Sequence, residues 1–323
     1  MSEDHKRNLR TMVRGVYDIQ QLRIQIGNRI AMNYRAKLGQ EPSTSEKELE
    51  KEAKRTLDLL RERYKLITDG MVSFPTPKKF KGDEVISTYA ELCLVSRYIE
   101  LRQAEEQMFR QLETVLLDFP IWTQFLEDVK GVGAAMAGVI ISEFDIHKAK
   151  YPSSFWKYAG LDVGPDGVGR SRRKEHQVKR TYVDKKGKES ERDSITFNPF
   201  LKTKMVGVLA GSFLKSGVAP KDKETKEVIG EVTGYRRIYE TYKRRLETDP
   251  NRVKVTVEEY KKLSKISKTE AALVWTPGRI NNASKRYMIK MFLMDLHMAW
   301  RELEGLPVST PYSEGKLGIV HEG

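Results

Sequence analysis

Little in this chain can be cross-linked, inserted into a membrane or driven by a nucleotide. One cysteine, Cys93, stands among 323 residues, which excludes an internal disulfide framework and points to a reducing compartment, read here as the cytoplasm. No apolar run approaches the roughly 20 residues that span a bilayer. The opening MSEDHKRNLR lacks the apolar core of a signal peptide, so neither secretion nor a membrane partner is expected. Walker, Rossmann and paired Cys-x-x-Cys signatures are missing, which removes the common nucleotide-driven and redox enzymes. Acidic residues are also in short supply: 45 Asp and Glu face 58 Lys and Arg, a formal net charge of +13. Such a surplus favours anionic partners, with nucleic acid, and DNA first, as the expected class.

What is present is helical periodicity. Val16, Ile19, Leu22, Ile26 and Ile30 recur at three and four between Met12 and Lys37, the spacing of one helix face. Pro42, then Ser43, Thr44 and Ser45 with Glu46 and Glu48 beyond, opens a second helix carrying Leu49, Ala53, Leu57, Leu60 and Tyr64. After the linker SFPTPKKFKGD a long, imperfect seam runs through Val85, Tyr89, Leu92, Ser96, Ile99, Glu106, Phe109, Leu112 and Leu116 to Pro120. Either an antiparallel bundle closed on itself or a coiled coil that pairs two copies into a homodimer satisfies this seam.

Beyond Pro120 glycines, short β-like runs and basic clusters appear, followed by an almost all-round apolar helix from Asn282 to Leu303. The expected fold class is therefore mainly α. A long-helix, coiled-coil-like arm spans 1–121, and a helix-hairpin-helix domain with a small β-hairpin insertion spans 122–323.

Two features of the second part bear on nucleic acid. The first is LEDVKGVGAAMAGVIIS, residues 126–142, where Gly131 and Gly133 allow a sharp reversal between two apolar runs and Val132 plugs the gap. Backbone amides at the start of the following helix, around Lys130, Gly131, Val132, Gly133 and Ala134, would then face a phosphate at the positive end of the helix dipole. A tight turn without a ligand fits the bare Gly-x-Gly equally well. The second feature is Arg170–Arg192, with ten basic and four acidic residues. Within it Arg170, Arg172, Arg173, Lys174, Lys179, Arg180, Lys185, Lys186 and Lys188 are the candidate backbone contacts. TYV, DKKGKE and SITF suggest a hairpin with its tip at Lys185–Gly187.

The stretch GVGAAMAGVIISEFDIHKAKYPSSFWKYAGL, residues 131–161, resembles the C-terminal domain of IS110-type transposases through Glu143, Asp145, Phe155, Tyr158, Ala159, Gly160 and Leu161. A looser likeness continues through NPFLKTKMVGVLAGSFLK and the C-terminal helix. The resemblance implies a DNA-recombining domain of a mobile element or phage, with a serine that attacks DNA and an RNase H-like acidic domain. The first 120 residues read as helices throughout and show no such acidic domain. By order along the chain, Ser171 is the candidate nucleophile, although Arg172 replaces the glycine that follows it in the family; a hydroxyl that only bonds phosphate or solvent in a basic loop is the alternative. Arg170, Arg172 and Arg173 could stabilise charge on phosphorus, and His176 could take a proton.

Two readings follow: a DNA-binding protein that grips the sugar-phosphate backbone with little sequence specificity, or an active recombinase working by phosphoryl transfer. An adaptor whose helical arm recruits a partner is a third. No cofactor is expected, and a magnesium ion enters only with the second reading. His176, His297 and His321 lack partners at zinc spacing, and Glu143, Asp145 and His147 have no second cluster nearby. Trp122, Phe155, Trp156, Trp275 and Trp300 read chiefly as core, with stacking on unpaired bases as the alternative. Lys285, Arg286 and Lys290 read as cations near the start of the last helix, a position that favours an anion there, and equally well as a merely exposed charged turn.

Overall fold

The computed structural model describes residues 3–41, 45–164, 166–262 and 274–308; Pro42–Thr44 and His321 lie outside them. Two compact units are found, Arg7–Val115 and a larger one made of Met1–Lys6 and Leu116–Gly323. Mainly α structure with one small antiparallel hairpin is the result.

The smaller unit is built from α1 (Glu3–Lys37), α2 (Glu46–Thr68) and α3 (Tyr89–Leu116). Ile30, Leu60, Ile86, Leu92, Val95 and Tyr98 form a buried core. Gly27 sets how closely the helices approach: a Cβ there would lie 2.9 Å from the Tyr98 ring and 3.2 Å from Leu57. Two expected stripe residues face water instead. Leu22 is exposed, because the turn next to it is used by Arg23 and Gln20, which both bond Glu105. Glu106 is likewise exposed and pairs with Arg102 at 2.9 Å. Its neighbour Glu105 takes the buried place, which a carboxylate occupies only when paired.

In the larger unit a π-helical turn, Trp122–Leu126, leads into the glycine bend and then α4 (Ala134–Glu143), whose last eight residues are all buried. Helix α5 (Pro152–Tyr158) follows. Strands β1 (Val178–Val183) and β2 (Glu189–Ser194) then pair antiparallel, from Val178 opposite Ser194 to Val183 opposite Glu189. Asn198 caps α6 (Pro199–Lys202) by accepting the Leu201 amide, and a π-helical stretch, Thr203–Leu209, carries α6 into α7 (Ala210–Ser216). Next come α8 (Tyr235–Thr248), β3 (Val253–Lys254), α9 (Val257–Lys262) and β4 (Val274–Trp275), with β3 and β4 paired in parallel.

The last helix, α10 (Pro277–Leu303), starts earlier than its apolar pattern suggests. Thr276 accepts the Arg279 amide at 3.2 Å and Pro277 occupies the first turn, a start signal that outweighs the polar character of residues 277–282. Met288, Ile289, Phe292, Leu293, Leu296 and Trp300 are fully buried. They pack with aromatic neighbours: Phe213 lies 5.3 Å from Phe292, and Phe155 lies 6.3 Å from Trp300.

His297 is buried in this core, its Nε2 bonded to the Ala149 carbonyl at 2.8 Å, while its Nδ1 has no partner among the described residues. Burial, with Arg301 adding to it, holds the imidazole pKa below the ordinary histidine value despite the Ala149 bond. Because the folded pKa is the lower one, the unfolded chain binds the proton first. The stability that neutral His297 contributes is present above about pH 6.5 and is lost as pH falls through the folded pKa. Melting temperature is expected to drop on acidification below about pH 6.5, and His297→Gln should flatten that part of the profile. An identical pH profile in the variant would remove His297 as the cause.

Candidate nucleic-acid interface

The two glycines of the bend do different things. Gly131 has φ +100°, and a Cβ there would meet Ser216 Oγ at 2.8 Å and the Phe213 ring at 2.9 Å. Ser212 Oγ donates to the Gly131 carbonyl at 2.7 Å and Ser216 Oγ to the Lys130 carbonyl at 3.2 Å. This side of the bend is therefore docked on α7. Gly133, by contrast, is exposed, has ordinary extended angles and would place a Cβ in open space. The Gly133 carbonyl accepts the Met136 and Ala137 amides, so the amides ahead of them belong to the uncapped first turn of α4. Val132 is buried, and the Lys130 side chain is exposed.

Gly131→Val should cost about 3 kcal/mol through left-handed strain and overpacking. The melting temperature would fall by roughly 6–12 °C. Gly133→Val should leave it within about 2 °C, since surface changes away from special features are small. Equal losses in the two variants would refute the division of roles.

The residues that resemble the transposase motif are tied together by one side chain. Asn198 Nδ2 donates to Glu143 Oε2 at 2.7 Å and to the Tyr158 hydroxyl at 3.3 Å, and its amide donates to the Tyr158 carbonyl at 2.8 Å. Gly160, at φ +65°, lets the chain pass the Phe197 ring, which a Cβ would approach to 2.6 Å. Phe155 stacks on Phe144 at 4.2 Å. Asp145 turns away from Glu143 to bond the backbone at His147 and the Lys148 ammonium.

Ser171 lies in the loop that follows. Its Oγ is 3.1 Å from His176 Nδ1, and His176 Nε2 is 3.0 Å from Asp166 Oδ2. His176 is almost fully buried in a short 3-10 turn, Lys174–His176. Gly164 makes room for it, since a Cβ there would lie 2.7 Å from Nε2. The Ser171 amide also points at Nδ1, at 2.9 Å, which makes Nδ1 the acceptor and puts the ring proton on Nε2, facing Asp166. Bonds from the Val168 amide and from His176 hold the Asp166 carboxyl below its ordinary range. The result is a carboxylate–imidazole–hydroxyl relay, with the imidazole lone pair shared between the hydroxyl and an amide. Sequence reading found Ser171 and His176 but missed Asp166 and Gly164. The signal was the Asp-Gly turn at 166–167, ten residues before the histidine.

Residues 123–185 match the family model of transposase IS116/IS110/IS902. The resemblance to IS110-type transposases therefore stands over this segment, which contains the bend, the Tyr-Ala-Gly-Leu motif and the relay. No curated protein and no solved structure matches the chain.

The basic residues divide within and beyond this transposase-like segment. Arg170 is committed internally: its guanidinium makes a two-bond pair with Asp162, at 2.9 and 2.7 Å, and Lys202 Nζ bonds its carbonyl. Lys179 faces Glu191 at 3.6 Å across the hairpin. Arg172, Arg173, Lys174, Arg180, Lys185, Lys186 and Lys188 are exposed, and among the described residues none is paired with a carboxylate.

A cleft of about 970 Å³ opens beside the loop. Arg173 and Lys174 line one side, and Arg279, Arg286 and Lys290 of α10 line the other. Its aromatic members are Tyr242, Tyr260, Trp275 and Tyr287. Because α10 starts at Pro277, Lys285, Arg286 and Lys290 lie two or more turns inside the helix, and its dipole is not what they answer to. Burial, and then the charge of Arg286, pushes the pKa of Lys202 down; burial also lowers that of Lys290, with Arg286 adding to it and Asp162 opposing it at both lysines. Burial and Arg279 do the same to Arg286.

Trp122, Phe155 and Trp300 are core residues. Trp156 is half-buried and donates to the Lys290 carbonyl at 3.0 Å. Trp275 carries the guanidinium groups of Arg252 and Arg279, at 4.2 and 4.4 Å from its ring centre. Among the described residues no helix is long and apolar enough to cross a membrane, and no three His, Cys, Asp or Glu side chains converge as metal ligands.

Proposed function

We propose that this is a DNA-binding protein of a mobile genetic element or phage that grips the sugar-phosphate backbone with little sequence specificity. The observation that carries the reading is the set of seven exposed cations at 172–188, none paired with a carboxylate among the described residues. Exposed lysines and arginines on a loop and hairpin neutralise phosphates and carry no base information. The open first turn of α4 at Gly133 supplies a second contact of the same kind.

Mobility shifts with duplex, junction, single-stranded DNA and RNA test this, comparing wild type with Lys185→Ala/Lys186→Ala/Lys188→Ala and with Gly133→Val. At least one DNA form should bind, with the triple variant weaker by about tenfold or more. Wild-type protein that shifts none of the three DNA forms, whether or not it shifts RNA, would end the proposal.

The Ser171 relay favours a second reading, in which the chain is itself a recombinase. Ser171 Oγ would attack a scissile phosphorus, forming an O–P bond as the strand's own P–O bond breaks. His176 Nδ1 would take the hydroxyl proton while Asp166 stabilises the imidazolium, and solvent would protonate the departing strand oxygen. Magnesium belongs to this reading only, and no step of it is assigned to a metal.

A further inference from the structure

We propose that the cleft between the Asp166–Glu175 loop and α10 holds an unpaired stretch of DNA, with phosphates on Arg286 and Lys290 and a base against Tyr260. This rests on the DNA-binding reading above and adds the form of the substrate.

Four observations lead there. Arg286, Lys290 and Lys202 are drawn out of water, Arg286 adds its charge at both lysines and Arg279 adds its own at Arg286, and among the described residues none of the three makes an ion pair. Charges gathered at that cost mark a place built for an anion. The nearby acids are engaged elsewhere: Asp162, whose charge partly offsets the effect on both lysines, is bound by the Arg170 guanidinium, Asp166 is held by His176, and Glu175 lies on the opposite, loop side. The lack of a side chain at Gly169 leaves room for Arg286, since a Cβ there would lie 3.3 Å from its guanidinium carbon, and Arg286 lines the cleft with Gly169.

Shape selects a strand over a duplex. Arg286 and Lys290 are half-buried, out of reach of phosphates on the convex surface of an intact double helix. The volume, about 970 Å³, is at the upper end of what small-molecule pockets offer and exceeds the need of one phosphate. Exposed Tyr260 lines it, beside a Trp275 ring that already carries Arg252 and Arg279, and unpaired bases stack on an open tyrosine ring without regard to sequence.

The test measures fluorescence anisotropy of the full chain with a labelled oligothymidylate of about 12 nucleotides and with a blunt duplex. Arg286→Gln/Lys290→Gln and, separately, Tyr260→Ala are expected to weaken the single strand by about tenfold or more and the duplex by less than about twofold. Single-strand binding should also change tryptophan emission, and Trp275→Phe should remove most of that change. Should the double variant not fold, Tyr260→Ala carries the comparison, since its side chain is exposed.

Single-strand affinity unchanged in both variants overturns the inference, and so does an equal loss for strand and duplex, which would mark a general basic surface. Free thymidine monophosphate binding as tightly as the oligonucleotide would make the cleft a mononucleotide pocket, also against it. If wild type binds neither strand nor duplex, the cleft assignment has failed, and the DNA-binding reading fails with it only if the junction is not bound either. If it binds duplex alone, only the cleft assignment has.

Discussion

Raising monovalent salt from about 50 to about 200 mM should weaken DNA binding by roughly four decades, given a log–log slope near −0.9 for each phosphate neutralised and about seven such contacts. The count rests on geometry. Of the nine cations singled out between residues 170 and 188, Arg170 is spent on Asp162 and Lys179 faces Glu191, which leaves seven exposed without a carboxylate partner. Replacing Lys185, Lys186 and Lys188 by alanine should reduce the slope by about 2.7. Hairpin pairing itself should survive, because β1 and β2 are joined by their own ladder and the tip is an Asp184–Lys188 turn with Gly187 at φ +76°. Arg170→Ala should leave the slope alone and lower stability instead. A binding constant that ignores salt would show that this surface is not the contact.

Ser171 provides the second large effect. If the relay activates its hydroxyl, a fluorophosphonate probe should label it about a hundredfold or more faster than other serines, with fluoride leaving as the Oγ–P bond forms. Peptide mass mapping would read the site. Ser171→Ala should abolish that labelling, and Asp166→Asn should slow it by about 10²–10⁴, since the imidazole then loses the partner that fixes its tautomer. The competing outcome has a clear structural cause. With the Ser171 amide 2.9 Å from Nδ1, the triplet can serve as a clasp that closes the loop, and labelling would then be no faster than at any exposed serine. That result would remove the recombinase reading and leave backbone binding untouched.

The sequence made helices legible where one face is apolar and hid them where packing is mixed. Stripe positions in α2 and the buried run of α4 follow from spacing alone. Leu22 was misplaced because a buried carboxylate, Glu105, recruits Arg23 and Gln20 to the face where an apolar residue was expected. The start of α10 was masked by its polar first turns, although Thr276 and Pro277 announce it. In the site, Ser171 and His176 could be found from chain order, but Asp166 could not: its role depends on a small turn in which Gly164 donates to the Val168 carbonyl at 2.7 Å. Arg279, Arg286 and Lys290, seven and four residues apart, do share one helix face, and that stripe was readable. Arg286 and Lys290 are picked out by sequence together with Lys285, whereas Arg279 escapes because it precedes Asn282, where the apolar pattern begins.

The hairpin's two strands leave the body of the larger unit side by side, with Val178 opposite Ser194. The flanks are secured independently, His176 on one side by Asp166 and Asn198 on the other by Glu143 and Tyr158. Everything between is an appendage with a closed base. Residues 179–193 could be shortened, lengthened or exchanged through a brief connector without disturbing the interior, so the molecule's reach can be altered as a detachable module.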